Sequence, residues 1–201
     1  YAYSFSNDGR KVQVTLRDDI SFHNGQTLTS ADVVATLDYM LELAGFDENL
    51  DSEVPVADRG LYYSTFYSIK SWEATDDQTI VFTLRRASYG SLYALTFPIL
   101  PASQVAADMP AGTGPYKYDG YEQGSAIWLT ANDGWWNRPP QVRYVRASIY
   151  DTAEQALNAF DTQSVDIAMT RSINASRYSG SLNTFSITAR TRQLEVLLVN
   201  R

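Results

Sequence analysis

The sequence predicts a mixed α/β fold in which antiparallel hairpins lie beside an α/β crossover unit. Short runs with a period of two are joined by turn residues at Asn7-Asp8-Gly9 and at Asp76-Asp77, which is typical of hairpins. Residues 142–169 read as strand, helix and strand, a length that suits a crossover connection. With 201 residues, 44% of them hydrophobic, the chain can bury a sizeable core.

The main organised segment covers residues 12–43 and reads as strand, tight turn and helix. Residues 12–16 alternate Val, Val and Leu with polar residues, as in a strand with one buried face, and Asn24-Gly25 tolerates the positive φ of a sharp reversal. A helix follows, with Thr29 or Ser30 as its N-cap and Asp32 in the first turn, where the macrodipole favours a carboxylate. The positions that share its apolar face are Val33, Leu37, Met40, Leu41 and Ala44, and Gly45 is predicted to end the helix.

An aromatic segment at residues 61–69 follows a predicted surface loop at residues 45–60. Its rings belong to Tyr62, Tyr63, Phe66 and Tyr67. They form either a ligand-facing patch or one face of a short amphipathic helix that packs in the core, and the pattern favours the core interpretation.

The second half of the chain is predicted to contain further hairpins and short helices. Apolar runs predict short helices at residues 88–100 and 102–109, and strands at 116–121 and 126–131. Trp135-Trp136 is either a sugar-stacking platform or a plug at the end of a sheet, and the plug is the commoner role. The crossover consists of a strand within 142–149, a helix capped by Asp151 or Thr152, and a buried strand Val165–Met169. Two more strands are expected at residues 184–188 and 193–200.

Composition and motifs argue against several function classes. The formal charge is −7 and the cations are scattered, so we expect no nucleic-acid partner. The sequence has no Cys and a single histidine, His23, and its adjacent carboxylate pairs lie in predicted turns. No run approaches the roughly 18 apolar residues of a membrane span. We therefore predict no enzyme, no cofactor, no metal site and no membrane span.

Four motifs occur in a fixed order: LRDDISFHNGQTLTSADVV, GTGPYKY, NDGWW and VDIA. In this order they resemble the extracytoplasmic solute-binding proteins of the peptide, dipeptide and nickel ABC-importer family, over nearly the whole chain. Three details depart from the family pattern: Ser30 stands where Ala is usual, Trp135 replaces Tyr, and Gln163-Ser164 replaces the Gly before Val165-Asp166.

The resemblance implies one lobe of a type II periplasmic-binding-protein-like clamshell, which closes over a ligand held between two lobes. The chain would be a partial first lobe, with residues 1–110 as an outer subdomain and 111–201 as a hinge-proximal α/β subdomain, and the second lobe absent. The resemblance also implies a peptide-like or similar small-molecule ligand, ABC-transporter permease subunits as partners, and a periplasmic or cell-surface lipoprotein location.

The ligand contacts implied by the resemblance lie near the interlobe cleft. They are Arg192, Gln193, Glu195, Tyr62, Tyr63, Phe97 and Pro98. A guanidinium can bind a ligand carboxylate through two hydrogen bonds, which makes Arg192 the sharpest of these predictions. Ordinary surface or core packing is the alternative for each residue.

Two other functions remain open at this point. A carbohydrate-binding module would use the rings of Trp135-Trp136 and Tyr62-Tyr63 to stack on sugars. A sensor or regulator would use the same lobe to present a ligand to a receptor or transcriptional domain. The four ordered motifs favour the transport binding protein.

Overall fold

The computed structural model describes residues 2–46, 62–170, 177, 178, 184 and 187. The described residues form two compact units. The first contains the residues up to Tyr121 together with Ile127–Ala147, and the second contains Glu122–Ala126 together with those from Ser148 onward. The subdomain boundary near residue 110 stays a prediction.

The larger sheet of the first unit contains two hairpins. Its strands, in the spatial order β1-β2-β4-β3, are β1 (Ala2–Phe5), β2 (Lys11–Thr15), β4 (Thr79–Leu84) and β3 (Ile69–Asp76). All neighbours are antiparallel, with Phe5 opposite Val12 and Asp76 opposite Thr79. Both predicted hairpins are therefore confirmed.

Helix α1 (Ser30–Ala44) begins and ends as the sequence predicts. Thr29 is the extended N-cap residue, and its backbone N–H donates to the Asp32 carboxylate at 2.8 Å. Gly45 ends the helix in the left-handed conformation at φ +61°, which glycine adopts without the Cβ penalty.

One face of α1 packs on the larger sheet and forms the main core. The buried residues of this core are Val12, Val33, Leu37, Ile69, Ile80, Phe82 and Leu84. Leu37 is fully buried, and burial of a leucine side chain contributes about 1.5–3 kcal/mol. The alternation of buried and half-buried residues along β4 follows from the two-residue period of a strand.

Hydrogen bonds from α1 also fix two connecting segments. The Ser30 hydroxyl donates to the Asp76 carbonyl at 2.5 Å, in the turn between β3 and β4. The Thr36 hydroxyl accepts from the Leu100 N–H at 2.9 Å, and the Asp32 carboxylate accepts from the Ala102 N–H at 2.8 Å. The helix therefore determines where the segment containing Phe97 and Pro98 runs.

The smaller sheet and the second helix were also predicted. Strands β5 (Tyr116–Glu122), β6 (Ala126–Ala131) and β7 (Tyr144–Ser148) form a sheet in that order. Helix α2 (Ala153–Asp161) has Thr152 as its N-cap residue, whose hydroxyl accepts from the Gln155 N–H at 3.2 Å.

Two predictions in this region are wrong. Residues 165–169 form no strand, and Ile167 and Met169 are 87% and 94% exposed, because no described strand lies beside them to cover their side chains. The predicted crossover consequently lacks its second strand in the part of the chain that the structure describes. The helix predicted at 102–109 is only a 3₁₀ turn, Ala102–Gln104, because most side chains of that segment are exposed and no apolar face packs.

Other predictions lie outside the described residues. They are the strands at 184–188 and 193–200, of which only residues 184 and 187 are described, and nearly all of the loop at 45–60. Within the described ranges, no helix is both long and apolar enough to cross a membrane.

Candidate functional site

The structure separates the two adjacent tyrosines that the sequence placed in the ligand site. Tyr63 is 3% exposed and packs with Met40, Ala44 and Phe66 in a second core cluster. It begins a 3₁₀ helix, Tyr63–Tyr67, which we call the first 3₁₀ helix. The core interpretation of this aromatic segment therefore describes Tyr63 and Phe66 correctly.

Tyr62 and Phe97 lie at the edge of this same cluster. Both are partly buried and pack against it, so the structure brings together three of the predicted ligand-binding residues. Pro98 is exposed beside Phe97. Arg192, Gln193 and Glu195 lie outside the described residues.

Tyr62 has a backbone conformation that tyrosine rarely adopts. Its φ of 66° and ψ of 8° lie in the left-handed region, which costs a non-glycine residue about 1–3 kcal/mol. This conformation lets the Tyr62 carbonyl accept from the Thr65 N–H at 2.8 Å, which starts the first 3₁₀ helix. Non-glycine residues in this region are enriched at ligand-binding sites, so Tyr62 deserves a functional hypothesis.

An open cleft of about 370 Å³ lies beside Tyr62. Its other wall is the second 3₁₀ helix, Tyr89–Leu95, which contributes Tyr93. The other lining residues are Thr65, Ser68, Gly90, Ala94 and Thr96. The apolar run at 88–100 predicts a short helix, but Tyr93 within it is 78% exposed, and no sequence signal marked it as a residue of this wall.

A shallower cavity of about 290 Å³ is lined by residues 15–19 and Gln78. The Arg17 guanidinium donates two hydrogen bonds to the Asp19 carboxylate, at 2.8 and 2.5 Å. These bonds hold the pKa of Asp19 below its usual range. The same guanidinium lies 4.5 Å from the centre of the Trp136 ring. It therefore covers one face of this ring, and a sugar could not stack on that face.

Three of the four ordered motifs meet at the carbonyl groups of residues 112–115. His23, from the first motif, donates through its backbone N–H to the Gly112 carbonyl at 2.8 Å, and its Nε2 lies 3.0 Å from the Gly114 carbonyl. The Asn132 side chain, from the third motif, donates to the same Gly114 carbonyl at 3.1 Å. We call this arrangement the Gly114 junction.

The turn after Asn132 is fixed by an ion pair. Arg143 donates to both carboxylate oxygens of Asp133, at 2.5 and 3.0 Å, and thereby joins the end of β6 to the segment before β7. This hydrogen bonding lowers the pKa of Asp133. The described residues contain no group of three or more His, Asp or Glu side chains that could hold a metal ion.

The model of the bacterial extracellular solute-binding proteins, family 5 middle region, matches residues 2–197. The chain belongs to this family. The family resemblance drawn from the four motifs is thus confirmed, and the Gly114 junction is the place where three of these family motifs make contact.

Two curated relatives are just under 30% identical to this chain. Protein XP55 from Streptomyces lividans is 28% identical over 173 residues, which is 81% of this chain and 29% of that protein. The glutathione-binding protein GsiB from Escherichia coli K12 is 27% identical over 173 residues, 76% of this chain and 31% of that protein. The chain therefore spans about three tenths of the length of these relatives.

A solved structure confirms the fold class. The periplasmic binding protein DppA from Helicobacter pylori, in complex with the peptide STSA, superimposes with a TM-score of 0.73 at 20% identity. The match covers 90% of this chain and 39% of DppA. The described strands and helices are therefore part of one lobe of a periplasmic-binding-protein fold.

Proposed function

We propose that this chain is part of the substrate-binding component of an ABC importer. The protein captures a peptide-like or similar small solute outside the cytoplasmic membrane and delivers it to the permease subunits. The single observation that carries this proposal is the family 5 match over residues 2–197.

The kinds of ligand bound by similar proteins support a small solute. GsiB is named for glutathione, and DppA is described as ABC-transporter-associated and holds a peptide. GsiB and DppA are both named as binding proteins, and we propose that this chain likewise performs no catalysis. A location in the periplasm or on the cell surface as a lipoprotein belongs to the same proposal.

The proposed ligand contacts fall into two groups. Tyr62 and Phe97 each pack against the core cluster that contains Tyr63, and Pro98 lies exposed beside Phe97. Arg192, Gln193 and Glu195 would add polar and charged groups from the segment toward the hinge. Capture between two lobes explains why one lobe needs only a partial site, because closure supplies the remaining contacts.

Solute uptake tests the proposal directly. A strain that lacks the gene is compared with its parent for the small molecules that each removes from a complex medium. We expect at least one solute to remain in the medium of the deletion strain, and deletion of the cognate permease genes to leave the same solute behind. Identical depletion in the two strains would contradict a role in import.

A further inference from the structure

We propose that Asn24 is a deamidation site that its own turn restrains, with Gln26 as the protecting residue. Asn24-Gly25 is the only Asn-Gly pair in the sequence, and both residues are exposed in the turn that carries His23. The reaction does not involve the imported solute, so it is independent of the proposed import function. If the restraint is lost, the chemical change occurs next to a residue of the Gly114 junction.

The reaction needs only these two residues and water. The main-chain nitrogen of Gly25 attacks the side-chain carbonyl carbon of Asn24, and the amide nitrogen leaves as ammonia with the proton from Gly25. The resulting cyclic imide takes up a water molecule and opens to aspartate or to isoaspartate. Asparagine is among the thermolabile residues, and glycine has no side chain to hinder the attack. An exposed Asn-Gly pair is therefore reactive unless its geometry opposes the attack.

The turn engages the groups that take part in the attack. The Asn24 side-chain amide donates to the Gln26 side-chain carbonyl at 2.6 Å, and its oxygen accepts from the Gln26 N–H at 3.0 Å. The Gly25 N–H donates to the Phe22 carbonyl at 2.9 Å. The two bonds to Gln26 hold the amide toward residue 26, while the third directs the Gly25 N–H toward Phe22. Attack therefore requires hydrogen bonds of the turn to open first.

Deamidation would disturb the Gly114 junction by lengthening the main chain of the turn. The two sides of the turn are joined by the Phe22 N–H, which donates to the Gln26 carbonyl at 2.8 Å, and His23 follows directly. Isoaspartate continues the main chain through its side-chain carbon and so adds an atom between these two residues. The pairing across the turn then loses its register, and the bonds from His23 to Gly112 and Gly114 lose their support.

The rate of deamidation tests the protecting role of Gln26. The complete protein is incubated at mildly alkaline pH, and mass spectrometry follows the proteolytic fragment that contains Asn24. We expect Gln26→Ala to lose the Asn24 amide about twofold to tenfold faster than the parent protein, the factor that corresponds to one neutral hydrogen bond. Gln26→Glu should keep the slow rate, because its carboxylate still accepts from the Asn24 amide.

Two controls make these rates interpretable. Gln78→Ala removes another exposed glutamine side chain, in the turn between β3 and β4, and should not change the rate at Asn24. The protein unfolded in guanidinium gives the unrestrained rate for the same sequence. Equal rates in the folded and the unfolded protein would overturn the restraint, and a Gln26→Ala rate equal to that of the parent would refute Gln26 as the protecting residue.

The isoaspartate form, separated by chromatography after long incubation, tests the consequence for the junction. Its matched control is Asn24→Asp, which carries the same charge without the additional main-chain atom. We expect the isoaspartate form to unfold several degrees below Asn24→Asp, and the ring signals of His23 to shift in its NMR spectrum. Equal unfolding midpoints and unchanged His23 signals would overturn the link between this turn and the Gly114 junction.

Discussion

The carbonyl oxygen of Gly114 accepts hydrogen bonds from two side chains that come from different motifs. His23 reaches it from the turn after Phe22, and Asn132 reaches it from the end of β6. A carbonyl oxygen has two lone pairs, so both bonds can form at once. Each donor therefore compensates in part for the loss of the other.

A double-mutant cycle tests this shared acceptor. His23→Ala should cost about 1 kcal/mol of unfolding free energy, and Asn132→Ala somewhat more, since Asn132 also accepts from the Gly134 N–H. The double variant should cost more than the sum, because only there does Gly114 lose both side-chain donors. Urea unfolding measures all three values.

The control for this cycle pairs His23→Ala with Asn137→Ala, because Asn137 is an exposed asparagine a few residues beyond Asn132. These two changes should be additive. Additivity within about 0.3 kcal/mol for the His23 and Asn132 pair as well would show that the Gly114 junction is not cooperative.

The ion pair of Arg17 and Asp19 predicts a titration shift. The hydrogen bonds from Arg17 lower the pKa of Asp19 in the folded protein. The pair therefore stabilises the fold above the unfolded pKa of about 3.9, and this contribution is lost as the pH falls through the folded pKa. Arg17→Gln should raise the pKa of Asp19 toward its ordinary value, which carboxyl-resolved NMR titration measures.

Asp8 provides the reference in the same titration. Its pKa is lowered mainly by the hydroxyl of Ser6, so Arg17→Gln should not change it. An unchanged pKa of Asp19 in Arg17→Gln would contradict the assigned cause. A parallel shift of both carboxyls would indicate a general change in the fold.

Among the secondary-structure elements, α1 makes the most informative connections. The Asp32 carboxylate accepts from the backbone N–H and hydroxyl of Thr29 and from the N–H of Ala102. Asp32 thus caps the helix and fixes the segment after Phe97 with one side chain. Ser30, which stands where the family usually has Ala, contributes a single additional side-chain bond to Asp76.

These contacts predict unequal costs for neighbouring substitutions. Asp32→Ala should lower the unfolding free energy by about 2–3 kcal/mol, because three donors lose the buried carboxylate that accepts from them. Ser30→Ala should cost about 1 kcal/mol, since one neutral hydrogen bond is lost. Denaturant unfolding of both variants checks this order, and equal costs would contradict the central role of Asp32.

Secondary-structure elements that depend on turn or capping residues within their own segment could be predicted from the sequence. A strand that depends on pairing with a segment distant in the sequence could not. The two hairpins, α1 and α2 depend on turn and capping residues within each segment, so Asn7-Asp8-Gly9 and Thr152 were sufficient signals. Residues 165–169 form an apolar run, but a strand needs a neighbouring strand to pair with. The sequence of the run alone contains no information about that neighbour.

The candidate site was only partly predictable for a related reason. The family resemblance implied Tyr62, Tyr63 and Phe97 as ligand contacts, and the structure places all three at one cluster. The opposite environments of Tyr62 and Tyr63 depend on the left-handed backbone at Tyr62, which periodicity cannot reveal because tyrosine rarely adopts it. Tyr93 was missed as a wall residue because its exposure depends on how two 3₁₀ helices pack.

At the scale of the whole molecule, the proposed site is shared between lobes. The chain spans about three tenths of the length of its relatives XP55 and GsiB. If the solute is held between two lobes, as we propose, its affinity depends on closure as well as on the contacts of either lobe. Residues of this chain should affect binding only in the complete protein.

Arg192 offers a prediction at this scale. If its guanidinium binds a carboxylate of the solute, Arg192→Ala should weaken the affinity of the complete protein about tenfold or more, whereas Arg192→Lys should restore part of it. Calorimetric titration with the solute recovered from the protein measures both. An Arg192→Ala variant with the affinity of the parent would remove Arg192 from the site.

Native mass spectrometry of the complete protein, purified without denaturation and compared with this 201-residue chain prepared in the same way, tests the solute-binding account most directly. We predict that the complete protein retains a small molecule that the chain alone does not retain, and the retained mass would name the class of solute. Retention of the same molecule by the chain alone would contradict capture between two lobes. Solute binding itself would be contradicted if the complete protein retained no small molecule and bound none from a cell extract.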